Sequence, residues 1–474
     1  MSSSVRGGGE TSAGSTAPFP PLYERLPRGP HRLNHAQVIR HQRARLYGAM
    51  VEAVAADGYH GASVRQVVSL AGVSRRSFYE QFANKQELFL ATFDSIAIPA
   101  VMRLRRAYQA SEGPLEARLR AAFEEFIEGI RENWNNARLV IVDAQTAGPA
   151  GLARVRRTTA TCERMLASSF SLAPDPSPLA MPVVRGIVGG LHRLVAVCLL
   201  AGDVEQLPGL AEDMLEWTLL FRTPAAGSMA TILAERMADR VADRPPDGAV
   251  DGELPEGWEV SCQDDRGRLM HHALRLALVD DYVALTAPQI AEEANVPMER
   301  YFELFRDRDE CFMAALEMLG EDLLRVADDR SLAGDDWPRA TRRVLEEVMR
   351  FLVERPLYAQ TIAAGAFAAG PEAAERDREI GYSLAAMLIQ GAPERGQSRF
   401  ALDGVMGAIG HTIRCQVVSG QIQMLPTLSD HLAYVVLAPF IGADAAAEIV
   451  TEERPSPGGD PDPDSGSGSG SGPG

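Results

Sequence analysis

Apolar residues recur along this chain at spacings of three and four, strand-like alternation is never sustained, and the pattern predicts helices throughout. A long helix is expected from Asn34 to about Ala56, with Leu46, Ala49, Met50 and Val54 on its apolar stripe and Gly58 ending it. Ser63 is placed to cap a second, short helix whose Val64, Val67 and Val68 face inward. Gly72 then supplies the positive φ that a sharp helix-to-helix turn needs. Ser74 caps the next helix, and Phe78 and Phe82, four apart, share its buried face. That leaves Arg75, Arg76, Ser77 and Tyr79 toward solvent, at a helix start whose dipole and free amides favour phosphate. A helix presenting two arginines there suits a DNA groove, whereas the plainer alternative is a helical hairpin with a charged outer face.

After Leu88 the helical pattern continues, broken near Gly113-Pro114, Trp134-Asn135-Asn136, Gly148-Pro149, 173–178 and 202–208. A charged helix then leads into Arg244-Pro245-Pro246-Asp247-Gly248, the clearest linker. Beyond it the chain repeats itself. Tyr282, Thr286, Asn295-Val296, Tyr301 and Phe305 match Tyr59, Ser63, Gly72-Val73, Phe78 and Phe82 without a gap. Later, Gly404-Val405-Met406-Gly407 matches Gly186-Ile187-Val188-Gly189, a recurrence in order that points to duplication. The expected organisation is a disordered segment 1–22, a DNA-binding head 23–94, a helical regulatory domain 95–224, a linker 225–253, a degenerate second head 254–318, a second regulatory domain 319–450 and a disordered tail 451–474.

Composition narrows the function. At 474 residues the chain is long enough for two or three domains. Five scattered cysteines without CxxC or CxxH spacing fit a reducing cytoplasm and no zinc site. The apolar run 181–202 is interrupted by Arg185, His192 and Arg193, so it reads as a buried helix, not a membrane span. No nucleophile–base pair, phosphate-cradling loop or metal spacing is visible, so neither catalytic residues nor a cofactor are expected. The overall net charge of −17 argues against nucleic acid only if it is evenly spread. It is not: residues 26–87 carry nine Lys/Arg against four Asp/Glu, a net of +5, while 254–310 carry six against thirteen, a net of −7.

The residues Gly58-Tyr59, Ser63, Val67, Ala71-Gly72-Val73-Ser74, Phe78-Tyr79, Phe82, Lys85 and Leu88 resemble the N-terminal signature of the TetR family of bacterial transcriptional regulators. The resemblance implies an all-α fold in which a three-helix head is joined to a bundle that binds a small-molecule effector and dimerises. It implies a cytoplasmic regulator, usually a repressor, that binds double-stranded operator DNA until the effector releases it. Arg75, Arg76 and Ser77 are the candidates for base readout, and Ser74 starts their helix. Tyr79, Lys85, Ser63 and Arg65 match positions that hold phosphates; Arg43 could do likewise. Arg28 and Arg32 belong to an arm able to follow the minor groove.

In the second head Met298 and Glu299 stand where Arg75 and Arg76 do, and Phe302 stands at Tyr79; with its net charge of −7, this copy is not expected to bind DNA. Tyr108, Phe126, Trp134, Met165 and His192 are candidate lining of the effector pocket, with core packing as the alternative role for each. Two assemblies are open: two chains pairing to present two readers, which is favoured, or the two modules of one chain pairing as a pseudo-dimer. A ligand sensor or protein-interaction module that has lost DNA binding is the reading from another class.

Overall fold

The computed structural model describes residues 35–173, 176–202, 204–242, 264–279, 282, 285–328, 336–365, 369–393 and 400–453, and no strand occurs among them. The expected arm with Arg28 and Arg32, the 1–22 segment and the tail from 454 lie outside the described residues.

The first head is built from four helices. α1 (His35–Gly61) bends at Gly58, where φ is +69°. α2 (Val64–Ala71) opens on a capping box: Ser63 Oγ accepts from the Gln66 amide at 3.2 Å, and the Gln66 side chain accepts from the Ser63 amide. Gly72, at φ +57°, makes the left-handed turn, and α3 (Arg75–Tyr79) starts where Ser74 Oγ accepts from the Ser77 amide at 3.0 Å. α4 (Lys85–Ala110) is capped by Asn84 and runs unbroken through the expected boundary at 94–95, so head and bundle share one helix. Leu46, Met50, Val54, Val67, Phe78, Phe82, Leu88 and Phe89 form the core of this head, which is distinct from the main core of the protein.

α5 (Leu115–Glu132), α6 (Trp134–Ile141), α7 (Gly148–Ser171), α8 (Met181–Ala201) and α9 (Leu207–Leu219) complete the first bundle. α10 (Ala226–Ala242) follows, and here the expected linker 225–253 is corrected: its first part is a helix docked on the far half of the chain. Arg236 donates to Val450 O at 2.6 Å and Arg240 to Pro426 O at 2.8 Å, tying α10 to the ends of helical segments in the far half.

The second half repeats the order: α11 (Asp265–Val279), α12 (Ala287–Glu293), α13 (Met298–Leu304), α14 (Arg308–Ala327), α15 (Trp337–Glu354), α16 (Pro356–Gln360), α17 (Pro371–Ile389), α18 (Ala401–Val418), α19 (Ser429–Ile441) and α20 (Ala443–Thr451). Its first four helices repeat most of the packing and capping contacts of the head, except that Pro297 offers no side-chain cap where Ser74 caps α3. The Phe78–Phe82 and Tyr301–Phe305 ring pairs both have centroids 6.0 Å apart. Tyr59 meets Phe89 at 4.8 Å and Tyr282 meets Phe312 at 5.0 Å, both edge-on. Asn84 Oδ1 accepts from the Glu87 amide and Asp307 Oδ1 from the Glu310 amide, each at 2.9 Å. Asn295 takes the place of Gly72 at φ +52° and is the one non-glycine residue with positive φ among those described. A left-handed conformation costs an ordinary side chain roughly 1–2 kcal/mol, less for asparagine. Asn295→Ala should therefore lower the urea midpoint relative to Asn295→Gly, by a stability difference of about 1 kcal/mol.

The halves join along α8 and α18, whose backbones touch. A Cβ added at Gly189 would lie 2.6 Å from Gly407 O, and one at Gly407 would lie 2.6 Å from Gly189 O. Trp217 of α9, fully buried, wedges beside them, its Nε1 donating to Ile187 O at 3.0 Å. Gly190 and Gly404 make room for its ring, since a Cβ at either would sit within 2.5 Å of it. Tyr434 of α19 reaches across to Phe221 O at 2.9 Å. The segments Met181–Ala201 and Ile422–Ile441 are long and apolar enough to cross a membrane, and most of each is buried in this junction. The glycine faces of α8 and α18 thus pack against each other within the chain, the contact that a pairing of its two halves requires.

Candidate nucleic-acid interface and effector cavity

On α3 the buried side is Phe78, while Arg75, Arg76 and Tyr79 are exposed, Tyr79 by 58%. Ser77 is half-buried, and its hydroxyl lies 2.9 Å from that of Ser74. Arg76 bridges to Glu80 at 3.0 Å, but with side chains 89% and 58% exposed this contact is weak and readily exchanged for a phosphate or a base edge. Arg65 and Ser63 are exposed at the start of α2.

Two of the expected phosphate contacts are engaged within the head. Lys85 is turned inward: its ammonium donates to Tyr59 O at 2.8 Å and sits 4.4 Å from the Tyr59 ring centroid, capping the end of α1. Arg43 stacks over Phe82, 5.1 Å from the ring centroid. The second head repeats both contacts. Arg308 donates to Tyr282 O at 3.0 Å, and Arg266 stacks over Phe305 at 4.7 Å. Since the acidic copy keeps these cations, holding the fold together explains them without DNA.

The outer face of that copy is different in kind. Arg300 is bound by Asp265 at 3.1 Å and Glu303 at 2.7 Å, Arg306 by Asp307 at 3.0 Å, and Phe302 is 59% exposed where Tyr79 stands in the first head.

Inside the first bundle lies an apolar cavity of about 1130 Å³. Tyr108, Phe126, Met165 and His192 are among its lining; Trp134 is not, and packs instead, half-buried, against the core at the start of α6. Arg118 covers the Tyr108 ring at 4.3 Å. Burial, with the positive charge of His411, Arg414 and Arg193 nearby, pushes the His192 pKa down to about 3, so the ring is neutral at pH 7 and able to donate or accept one hydrogen bond. Phe93, Ala97 and Val155 belong both to the cavity wall and to the core of the first head. Sequence reading missed this shared wall because Val155 lies on α7, remote in sequence from the head.

A capped helix–turn–helix with a cationic outer face, carried on a helical bundle, defines a DNA-binding protein of the helix-turn-helix class. Two comparisons narrow the class. The profile of the bacterial regulatory proteins of the tetR family matches residues 48–92. The HTH-type transcriptional activator FasR of Mycolicibacterium smegmatis is 30% identical over 168 residues, covering 35% of this chain and 75% of that protein. The chain belongs to the TetR family of DNA-binding transcriptional regulators.

Proposed function

We propose that this protein is a ligand-controlled regulator in which two TetR-like modules share one chain, the first reading operator DNA and the second serving as its fixed partner. The observation that carries this reading is the contrast between the heads. The core contacts recur at equivalent positions, yet Arg75 and Arg76 stand exposed with one weak pair, Arg76–Glu80. In the second head Arg300, at the Ser77 position, is shared between Asp265 and Glu303, and the tip carries Met298 and Glu299 in place of the two arginines. Phosphate neutralisation supplies most non-specific affinity, and a net charge of −7 opposes it in the second head. Footprinting of the purified protein on DNA upstream of its own gene tests the reading. A single asymmetric protected half-site supports it, and two equal half-sites on a palindrome would reject it for a lone chain.

The cavity supports an effector that is mostly apolar with a small polar group for His192. At about 1130 Å³ it exceeds the usual volume of a drug-sized site, so the ligand is large or elongated. Because Phe93, Ala97 and Val155 are common to the cavity and the head core, an occupant that displaces the wall shifts the head as well. The relative is named an activator, which favours activation over the repression expected from the family resemblance. A ligand present at 100 times its Kd should stabilise the protein by about 2.7 kcal/mol and raise Tm accordingly. Thermal shift across a panel of apolar acids, esters and alcohols checks this; Met165→Trp should weaken the response without weakening DNA binding.

A further inference from the structure

α7 and α18 meet at a buried polar cluster used by neither the DNA-facing helix nor the cavity. Glu163 of α7 and His411 and Cys415 of α18 are 1%, 9% and 2% exposed. His411 Nε2 lies 3.3 Å from Glu163 Oε1 and 3.4 Å from Cys415 Sγ, and all three donor atoms fall within 4.8 Å of one another. His411 and Cys415, one helical turn apart, project from the same face of α18. Gly189 of α8 leaves the space that His411 fills, because a Cβ there would stand 2.6 Å from the His411 Cβ.

We propose that Glu163, His411 and Cys415 bind a zinc-class divalent cation that links the first module to the second. A tetrahedral ion with bonds of about 2.0–2.3 Å to oxygen, nitrogen and sulfur holds its ligand atoms roughly 3.3–3.7 Å apart, so both measured separations fall within that range. Thiolate with imidazole selects zinc or cobalt over magnesium or calcium, and three protein donors leave a fourth position for water or an added ligand. Arg156 donates to Glu163 Oε1 at 3.1 Å, the outer-shell contact that orients a ligating carboxylate, while Arg185 Nε stands 3.8 Å from Oε2, beyond hydrogen-bond range. These two guanidiniums also supply the opposing electrostatic force. Coordination requires a neutral His411 and a Cys415 thiolate, so the dication must displace whatever protons those two groups carry, and its thiolate and carboxylate contacts must outweigh the repulsion of the two guanidiniums.

Titrating the full-length, chelator-treated protein with Co²⁺ tests the site. A stoichiometric tetrahedral cobalt spectrum with a near-ultraviolet thiolate-to-metal band is expected, displaced by Zn²⁺. Cys415→Ser should lose the thiolate band, and His411→Gln should weaken cobalt binding by at least about 10-fold. Cys198→Ser, which alters a cysteine outside the cluster, should retain both features. Circular dichroism of each variant separates loss of metal from loss of fold. Adventitious surface binding gives no thiolate band. Absence of the band both in native titration and after refolding with Co²⁺, or its survival in Cys415→Ser, overturns the proposal.

Discussion

Arg75→Ala combined with Arg76→Ala will remove sequence-specific operator binding while leaving the melting temperature unchanged. Both side chains are solvent-exposed, and neither is part of the head core. Each bidentate arginine–guanine pair supplies roughly 1–3 kcal/mol of discrimination, so losing two lowers specific affinity by roughly 30-fold to 10⁴-fold. Fluorescence anisotropy on operator and scrambled duplexes at one fixed salt concentration reads this directly. Arg300→Ala is the matching control, since that guanidinium is already bound by Asp265 and Glu303. Equal damage from Arg300→Ala would mean that the acidic head touches DNA and that the assignment of a single reader is wrong.

Gly407→Val will strongly destabilise the whole protein. Any Cβ at this position must press on Gly189 O at 2.6 Å and on the Arg193 Cβ at 2.5 Å, and a backbone oxygen has nowhere to go without separating α8 from α18. Overpacking costs typically 1–3 kcal/mol, and a backbone clash at the centre of a junction belongs at the upper end of that range. Thermal denaturation should show the drop. Gly227→Ala, whose new methyl would meet nothing closer than Pro178 at 3.9 Å, should melt like the parent. A Gly407→Val protein with unaltered Tm would show that the modules do not pack along these helices.

The heads were legible in the sequence because their determinants are local. Ser63, Gly72, Ser74 and the Phe78–Phe82 pair act within a few residues of one another, and the structure assigns them cap, turn, cap and core. The contact of Lys85 with the end of α1 was not legible, because spacing places a cation near the operator-facing helix without saying which way its ammonium turns. For Trp134 the alternative role, core packing, is the one seen, since an aromatic residue at a helix start can face either the cavity or the core. The pairing of α8 with α18 was not legible, because Gly189 and Gly407 pack equally well against a copy of this chain or against each other. The buried cluster was half-visible, as His411 and Cys415 one turn apart, but its third donor lies 248 residues away.

The proposed pairing of the two halves along α8 and α18 would change how the regulator responds to its own abundance. A dimer assembled from separate chains forms in proportion to the square of protomer concentration, so operator occupancy collapses when the protein is scarce. Under the proposed pairing the partner is tethered and its effective concentration is constant, so the pairing would form without regard to protein abundance. Covalent linkage also lifts the requirement that both halves mutate alike, so one half can sharpen for DNA and an apolar ligand while the other keeps only what the junction needs.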